Sequence, residues 1–466
     1  MKTRANIKTI GIATLIGILL LAATVLCCLR WQAWFGNPPE PPYVADDSIC
    51  RVQLTFGRAG AQSRAVSWQC GDTIQPAELH LASKHRADTQ RITANSRLFI
   101  TAGGQTAYYF ADMGLLPAGD YTYRVQVGLQ RSAWQRFTVR PTTDATTTFV
   151  YVGDVQDADG CKLHTRFAEI NQQFAPDFWL FGGDVIERPH DGYWQAYYDM
   201  VADFGTSTPV LAVPGNHEYL KGLDKRLDER FVWTFPYFLD ADTRFAGIAQ
   251  YTFSVGNAAF YLLDSNNDVW TLPGERAWLQ RAMATDTAVW HIATLHHPVY
   301  SLRGRLTNFW VRQAFASLFN DKCDLVLSGH EHAYARRATN GTTPVYLVSQ
   351  CSPKDYRINL DAGYDRYGIG CRFYQVVHIA GDTLQLSAYT LDHVLYDQLT
   401  LLKTDGGTVL HDTFTNAPEY LQVDSTRYRK SADKRAAYQQ RILQRRNSHP
   451  APCLPAGRPE GGVGTY

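Results

Sequence analysis

The sequence predicts an α/β domain, built as a mixed β-sandwich flanked by helices, preceded by a smaller all-β sandwich domain. Short alternating strands separated by Gly, Pro and Asp turns fill residues 48–141, which is typical of an all-β sandwich. From residue 142 to 405, apolar strands alternate with helical patterns, which predicts the α/β domain. The strands between 371 and 402 have an antiparallel character, so the sheets should be mixed.

Residues 1–30 are expected to form a membrane anchor or a signal segment. The stretch 9–29 carries no charge, follows three basic residues, and is close to the ~20 apolar residues that span a bilayer core. Because the positive residues lie upstream, the rest of the chain should be exported. We expect the larger domain to lie on the periplasmic or extracellular side, anchored or, if the segment is cleaved, secreted. A lipid-modified cysteine at Cys27 or Cys28 is a further alternative.

A Pro-rich linker is predicted at 31–47, where the run GNPPEPPY should be stiff and extended. In the sandwich that follows, the apolar side chains of Val52, Leu54 and Phe56 alternate along the first strand, and nothing looks catalytic. The formal net charge of +1 gives no indication of a nucleic-acid partner.

Cysteine positions suggest disulfide bonds in an exported chain. Cys50 with Cys70, and Cys351 with Cys371, are plausible pairs in an oxidising compartment, although connectivity cannot be read from sequence. Some of these cysteines could instead be buried thiols.

The elements of the larger domain follow from apolar runs and helical spacing. Predicted strands and helices alternate along the chain: strand 149–152, helix 163–174, strand 178–181, helix 194–204, strand 209–213, hairpin 251–264, helix 274–285, strand 289–295, helix 310–321 and strand 325–327. Residues 406–466 are expected to be a basic, partly disordered tail. Its basic stretch would pack as a solvated surface helix, or alternatively touch anionic lipid or polysaccharide.

Five short polar motifs follow five of the predicted strands. They are Gly153-Asp154, Gly183-Asp184, Gly215-Asn216-His217-Glu218, His296-His297-Pro298 and Gly329-His330-Glu331-His332. Because ligands bind outside the carboxyl ends of strands in open α/β sheets, all five could point into one site. Each motif alone is a weak signal, but five in order are hard to explain structurally. Their carboxylate, amide and imidazole groups suit two divalent or trivalent metal ions, Fe, Zn or Mn.

This motif series resembles the calcineurin-like metallophosphoesterase superfamily, and the sandwich resembles the N-terminal domain of purple acid phosphatases. The segments that carry the second likeness are Val52-Gln-Leu-Thr55, Val66-Ser-Trp68 and Leu116-Pro-Ala-Gly-Asp-Tyr-Thr-Tyr-Arg124. The resemblance covers roughly residues 50 to 405. It implies a metallophosphoesterase fold preceded by an immunoglobulin/fibronectin III-like sandwich.

The resemblance also implies a role for each motif residue. Asp154 and His332 would bind the first metal ion, Asp184 would bridge both ions, and Asn216, His296 and His330 would bind the second. His217 would contact the substrate phosphate and assist the leaving group, and His297 would lie close by, facing the substrate.

Two positions depart from the family pattern. Purple acid phosphatases have a ligating Tyr three residues after the bridging Asp, where this chain has Glu187; many other members have Asp-x-His, where this chain has Gln156. Gln156 is the favoured replacement ligand at the first metal, with Glu187 or water as alternatives.

The sequence therefore predicts an exported binuclear-metal phosphoesterase that uses a metal-bound hydroxide for in-line attack. A phosphomonoesterase acting on a small-molecule or polymer substrate is favoured, with a pH optimum at or above pH 6. The alternatives are a phosphodiesterase acting on nucleotides or surface polymers, and a non-catalytic surface binding protein.

Overall fold

The computed structural model describes residues 2–83, 88–156, 161–222, 225–238, 249–338, 344–414, 417–422 and 431–448. Its first element is the helix α1, Lys2–Phe35. Within α1, Ile12–Trp31 has a mean hydropathy of 2.7 and none of it is buried, so this helix is long and apolar enough to cross a membrane.

Two antiparallel sheets follow and pack face to face around one apolar core. Their strands are β1 Cys50–Gly57, β2 Gly60–Gln69, β3 Ala77–Ser83, β4 Gln90–Thr93, β5 Asn95–Ile100, β6 Gln105–Leu115, β7 Gly119–Val127, β8 Gln130–Arg131 and β9 Gln135–Val139. One sheet has the order β1-β2-β6-β5; the other has the order β4-β3-β7-β8, with β9 also paired to β7. The core contains Trp68, Leu79 and Tyr123 from both sheets, so the predicted all-β region is present. Its fibronectin III-like character stays a prediction.

The larger domain contains two seven-stranded mixed sheets and flanking helices, which confirms the predicted fold class. The first sheet comprises β10 Thr146–Val152, β11 Phe178–Phe181, β12 Val210–Ala212, β22 Phe373–Ala380, β23 Thr383–Thr390, β24 Leu395–Thr404 and β25 Gly407–Asp412, in the order β12-β11-β10-β22-β23-β24-β25. The second comprises β15 Tyr251–Val255, β16 Ala258–Leu263, β17 Trp290–Leu295, β18 Leu325–Ser328, β19 Tyr334–Ala338, β20 Val345–Val348 and β21 Arg366–Gly368, in the order β15-β16-β17-β18-β20-β19-β21. A short ribbon pairs β13 Tyr219–Leu220 with β14 Arg226–Leu227. The helices are α2 Cys161–Phe174, α3 Asp191–Val201, α4 Glu229–Thr234, α5 Leu272–Ala284, α6 Phe309–Lys322 and α7 Ala432–Ser448.

The two large sheets share an aromatic core that fixes their faces against each other. Phe149 stacks on Phe178 in the first sheet with ring centroids 5.2 Å apart, and both rings lie 5.3 Å from Phe260 in the second. Strands β10, β11 and β12 are parallel to one another, as are β17 and β18. This parallel pairing brings the motif-bearing strand ends of each sheet to a common edge.

In the C-terminal part of the chain, the first sheet extends beyond residue 405 and a basic helix packs on the surface of the domain. Strand β25 pairs with β24, so the sheet continues to Asp412, past the boundary predicted at residue 405. Helix α7 packs on the domain: Tyr438 and Ile442 are buried beside Leu302 and Ile358 in an apolar cluster. The predicted basic helix is therefore docked along one face, because its apolar side chains share that face. The basic residues 427, 429 and 430, and the stretch beyond 448, lie outside the described residues.

Neither expected cysteine pair is joined in the structure. Cys50 lies opposite Gln69, the neighbour of Cys70 along the chain, in the β1–β2 ladder, and no disulfide joins the two cysteines in the structure. Burial raises the pKa of the Cys50 thiol to about 11, which makes its reactive thiolate scarce. Cys351 and Cys371 are likewise not bonded to each other.

Candidate metal centre

Each polar motif begins just after a strand ends. Asp154 follows β10, Asp184 follows β11 and Asn216 follows β12, while His296 follows β17 and His330 follows β18. These strands are buried along their lengths, and the chain turns sharply where each one stops. The side chains of both sheets therefore converge on one buried cluster.

Four residues of the motifs adopt a left-handed backbone conformation that is rare for residues other than glycine. The φ angles are 41° at Asp154, 51° at Asp184, 73° at His330 and 47° at His332. Such left-handed positions cost of order 1–3 kcal/mol each and concentrate at functional sites. The strained turns aim the side chains back over the strand ends.

Glycines beside the cluster leave room that any other residue would fill. A Cβ at Gly215 would lie 2.1 Å from Oδ1 of Asp184, and one at Gly329 would lie 2.7 Å from Oδ2 of Asp154. The glycines of the motifs are thus required by close approach to the carboxylates.

The converging side chains form two donor groups that share one carboxylate. The first position has ligand atoms from Asp154, Asp184 and His332 that lie within 4.8 Å of one another. The second position has Asp184, His296 and His330 within the same limit. Asn216 adds an amide oxygen to the second position, since its Oδ1 lies 3.2 Å from Nε2 of His296.

The residues present fit metal ions at this cluster. Oδ1 of Asp154 is fully buried and has no hydrogen-bond partner among the described residues, which is costly for a carboxylate oxygen unless a cation contacts it. Carboxylate, amide and imidazole donors together suit iron, zinc or manganese. The ring of His296 is oriented for metal binding. Its Nδ1 lies 2.8 Å from the carbonyl oxygen of Gly182, so its Nε2 faces the other donor atoms.

Burial and the charge of Asp184 shift the pKa values of the titratable groups in the cluster. Burial, and then the charge of Asp184, raise the pKa of Glu218 to about 8, and burial raises the pKa of Asp154 well above its usual value. Although burial opposes it, the charge of Asp184 raises the pKa of His296 to about 9. A cation bound beside these buried carboxyl groups would stabilise their charged form.

Two further histidines border the donors. Nδ1 of His217 lies 2.5 Å from the carbonyl oxygen of Glu187, so Nδ1 donates and Nε2 is left facing the cluster, 3.9 Å from Oδ2 of Asp184. His297 lies with its ring centroid 4.2 Å from that of His330, and its Nδ1 is 3.0 Å from Oγ of Ser265. Burial, followed by the charge of His296, lowers the pKa of His297 well below its usual value, so this ring is neutral.

Comparison with known proteins agrees with this geometry. The family model Calcineurin-like phosphoesterase matches residues 147–334, which contain all five motifs. The chain contains a calcineurin-like phosphoesterase domain.

The relatives of this chain include proteins named as purple acid phosphatases. Purple acid phosphatase 22 of Arabidopsis thaliana is 26% identical over 243 residues, which cover 48% of this chain and 52% of that protein. Probable purple acid phosphatase 20 of the same plant is 22% identical over 354 residues, covering 71% of this chain and 78% of that protein. The chain thus spans about half the length of the first of these relatives. Among solved structures, PhoD has a TM-score of 0.54 at 13% identity, covering 88% of this chain and all of that chain, which shows a shared fold.

The phosphoesterase domain differs from the family pattern at the first position. Gln156 is buried, and its side-chain amide lies 3.1 Å from Nε2 of His332, so it borders the first position. The carboxylate of Glu187 instead forms an ion pair with Lys354. These assignments of the first-metal ligands remain predictions.

Three residues beside the donor cluster received no role in the sequence analysis: Glu218, Glu331 and Lys354. Glu218 accepts hydrogen bonds from the backbone N–H groups of Gly215 and Asp184, at 2.6 and 2.9 Å. Glu331 accepts from the Ser301 hydroxyl at 2.6 Å, which ties the His330 motif to the loop after His296. Both glutamates stood inside the motifs, so the sequence signal was present. Lys354 follows no strand end and carried no such signal.

Proposed function

We propose that this metallophosphoesterase is an exported, metal-dependent phosphomonoesterase acting at the cluster around Asp184. The observation that carries the proposal is the pair of donor groups that share this one buried carboxylate. Adjacent positions with a shared carboxylate suit the handling of a phosphoryl group, whose attacking and leaving oxygens lie on opposite sides.

The chain's own residues divide the work at this cluster. Asp184, Asn216, His296 and His330 would hold a metal ion at the second position, and Asp154, Asp184 and His332 would hold one at the first. Bound there, iron, zinc or manganese would supply Lewis acidity and an activated water.

His217 is placed to act on the leaving group. Its side chain is one-quarter exposed, and the hydrogen bond from Nδ1 to Glu187 fixes the ring with Nε2 toward the cleft. A proton on Nε2 passes to the oxygen of the departing alcohol. His297 borders the same cleft as a neutral ring and supports substrate placement.

Cationic side chains at the rim favour a phosphate ester with two negative charges. The side chains of Lys354 and Arg303 are each about one-third exposed, and Nη2 of Arg303 lies 2.5 Å from Nε2 of His330. A monoester carries one more negative charge than a diester near neutral pH, so it gains more from these cations. The similarity to proteins named purple acid phosphatases supports the same choice.

The test is hydrolysis of p-nitrophenyl phosphate and bis-p-nitrophenyl phosphate by the full chain purified in detergent. Metals are stripped and then Mn, Zn or Fe is restored singly, and rates are measured from pH 4 to 9. We expect a metal-dependent preference for the monoester, an optimum at or above pH 6, and loss of turnover in Asn216→Ala. Preference for the diester would replace the phosphomonoesterase with a phosphodiesterase, and no turnover with any metal would favour a binding protein.

A further inference from the structure

Lys354 lies beside the first position, where it contacts Glu187 and Gln156. Its Nζ forms an ion pair with Oε2 of Glu187, the residue that stands where purple acid phosphatases carry a ligating Tyr. Both groups are mostly shielded from solvent, with side-chain exposures of 34% for Lys354 and 19% for Glu187. The carboxylate that could have joined a metal ion is thus already paired with a cation.

The same ammonium also contacts Gln156. In the amide orientation that satisfies all its neighbours, the oxygen of Gln156 lies 3.2 Å from Nζ of Lys354 and 3.1 Å from Nε2 of His332. Its amide nitrogen then donates to Oδ2 of Asp184 at 3.2 Å. The amide is therefore bonded to two donor side chains of the first position and to Lys354, and its oxygen is engaged before any ion arrives.

The second position has a different environment. It gathers Asp184, Asn216, His296 and His330, and Nδ1 of His330 faces Nε2 of His296 at 3.2 Å. The nearby guanidinium of Arg303 is bonded to the other ring nitrogen of His330, on the side away from these donors. The second position thus combines four donors with no intervening ammonium among the residues described.

We propose that Lys354 makes the two positions unequal, so that the second binds its ion tightly and the first binds an exchangeable ion in competition with the Lys354 ammonium. The positive charge of the Lys354 ammonium repels a metal ion at the first position and so lowers the affinity for that ion. In addition, Lys354 contacts both candidate replacement ligands of this position, Gln156 and Glu187. This inference rests on the proposed function, because it assumes that the cluster binds metal.

The experiment is a titration of the metal-stripped full chain with Mn²⁺ alone, followed by equilibrium dialysis and by electron paramagnetic resonance. We expect a tight and a weak class of site, with the spectrum of isolated Mn(II) at low loading and of coupled Mn(II) at high loading. His332→Ala should remove the weak class, and Asn216→Ala should weaken the tight class. A single class of two sites with equal affinity would overturn the inference. So would loss of the tight class in His332→Ala together with weakening of the weak class in Asn216→Ala.

Lys354→Met removes the ammonium and keeps most of the length of the side chain, whereas Lys354→Arg is the matched control that keeps the charge. Because groups bonded to metal ligands change metal affinity by about 10–100-fold, Lys354→Met should tighten the weak class by at least about 10-fold. Lys354→Arg should leave it weak. If Lys354→Met does not fold, as judged by circular dichroism, Lys354→Gln replaces it, and a weak class left unchanged by loss of the ammonium would overturn the role of Lys354. No Mn²⁺ binding in any class would instead reject the metal centre and the proposed function with it.

Discussion

Glu218 illustrates how single buried residues organise the site without belonging to the donors. Its carboxylate accepts from the backbone N–H groups of Gly215, Asp184 and Ile186, at 2.6, 2.9 and 3.2 Å. These groups belong to two different loops, each of which carries a donor side chain. The loops are thus held against each other in a turn that places Asp184 with a φ of 51°.

We predict that Glu218→Ala lowers the free energy of unfolding by about 3 kcal/mol, because three buried N–H groups lose their acceptor. Glu229→Ala is the control, since Glu229 forms an exposed ion pair with Arg97 and should cost at most about 0.5 kcal/mol. Thermal and denaturant unfolding of the full chain in detergent would measure both. Equal stability of the two variants would show that Glu218 does not fix the loops.

The convergence of the motif residues could be predicted from the sequence for a physical reason, whereas their roles as metal donors followed from the family resemblance and stay predictions. Asp154, Asp184 and His330 each follow a short apolar strand, and parallel strands deliver their ends to one edge. The role of Lys354 could not be found this way. It lies 167 residues from Glu187 along the chain, and only the packing of separate loops brings the two together.

At the scale of elements, the connection between the sandwich and the phosphoesterase domain is fixed by one guanidinium. Arg140 lies just after β9, and its Nη1 is 2.7 and 2.8 Å from the two carboxylate oxygens of Asp177, just before β11. Its Nε is 3.0 Å from Asp144, which itself accepts from the hydroxyl and N–H of Thr146 at 2.7 and 3.0 Å. The start of β10 is thereby tied to the strand beside it.

This network predicts a pH-dependent contribution to stability. The Thr146 hydroxyl, then the Thr146 N–H and Arg140, lower the pKa of Asp144 from its usual 3.8 to about 2. A carboxyl whose pKa is depressed by folding stabilises the fold above about pH 4, and this contribution is lost as the pH falls through about 2. Asp144→Asn should therefore lower the unfolding midpoint more at pH 6 than at pH 3. The exposed Asp72→Asn serves as the control in the same melts; an equal effect of Asp144→Asn at both pH values would contradict the assignment.

Element boundaries show where local pattern loses its power. The hairpin turn at Gly256-Asn257 and the helix ending at Phe174 follow from turn residues and from the Pro176 that stops the helix. Strand β25 was missed because it alternates half-exposed and exposed residues at the sheet edge, so it has no apolar run to mark it. Only its pairing with β24 makes it a strand.

For the whole molecule, the N-terminal helix exposes apolar side chains along its length. The exposed large apolar side chains of Ile12, Leu19 and Leu29 all lie on α1, and their exposed fractions are 59%, 60% and 78%. The two folded domains pack into each other: Phe56 of the sandwich lies in the core of the phosphoesterase domain, 5.4 Å from the ring of Phe178. An exposed apolar helix joined to a tightly packed body is the arrangement expected of a tethered enzyme.

We predict that the full chain stays in the membrane fraction after extraction with alkaline carbonate, with its phosphoesterase domain open to protease added from the exported side. The reason is that the helix segment Ile12–Trp31 is long enough to span the apolar core, and the basic residues ahead of it favour a cytoplasmic N-terminus. The double substitution of Leu19→Arg with Leu20→Arg should release the chain from the membrane. Each charge buried at the membrane centre costs about 2.5–3.5 kcal/mol. Leu19→Ile with Leu20→Ile is the matched control and should remain bound. Mass spectrometry of the mature N-terminus would show whether the segment is retained. A mature chain that begins after residue 26 would be a cleaved or lipid-modified product, and the prediction of a membrane-spanning anchor would be wrong.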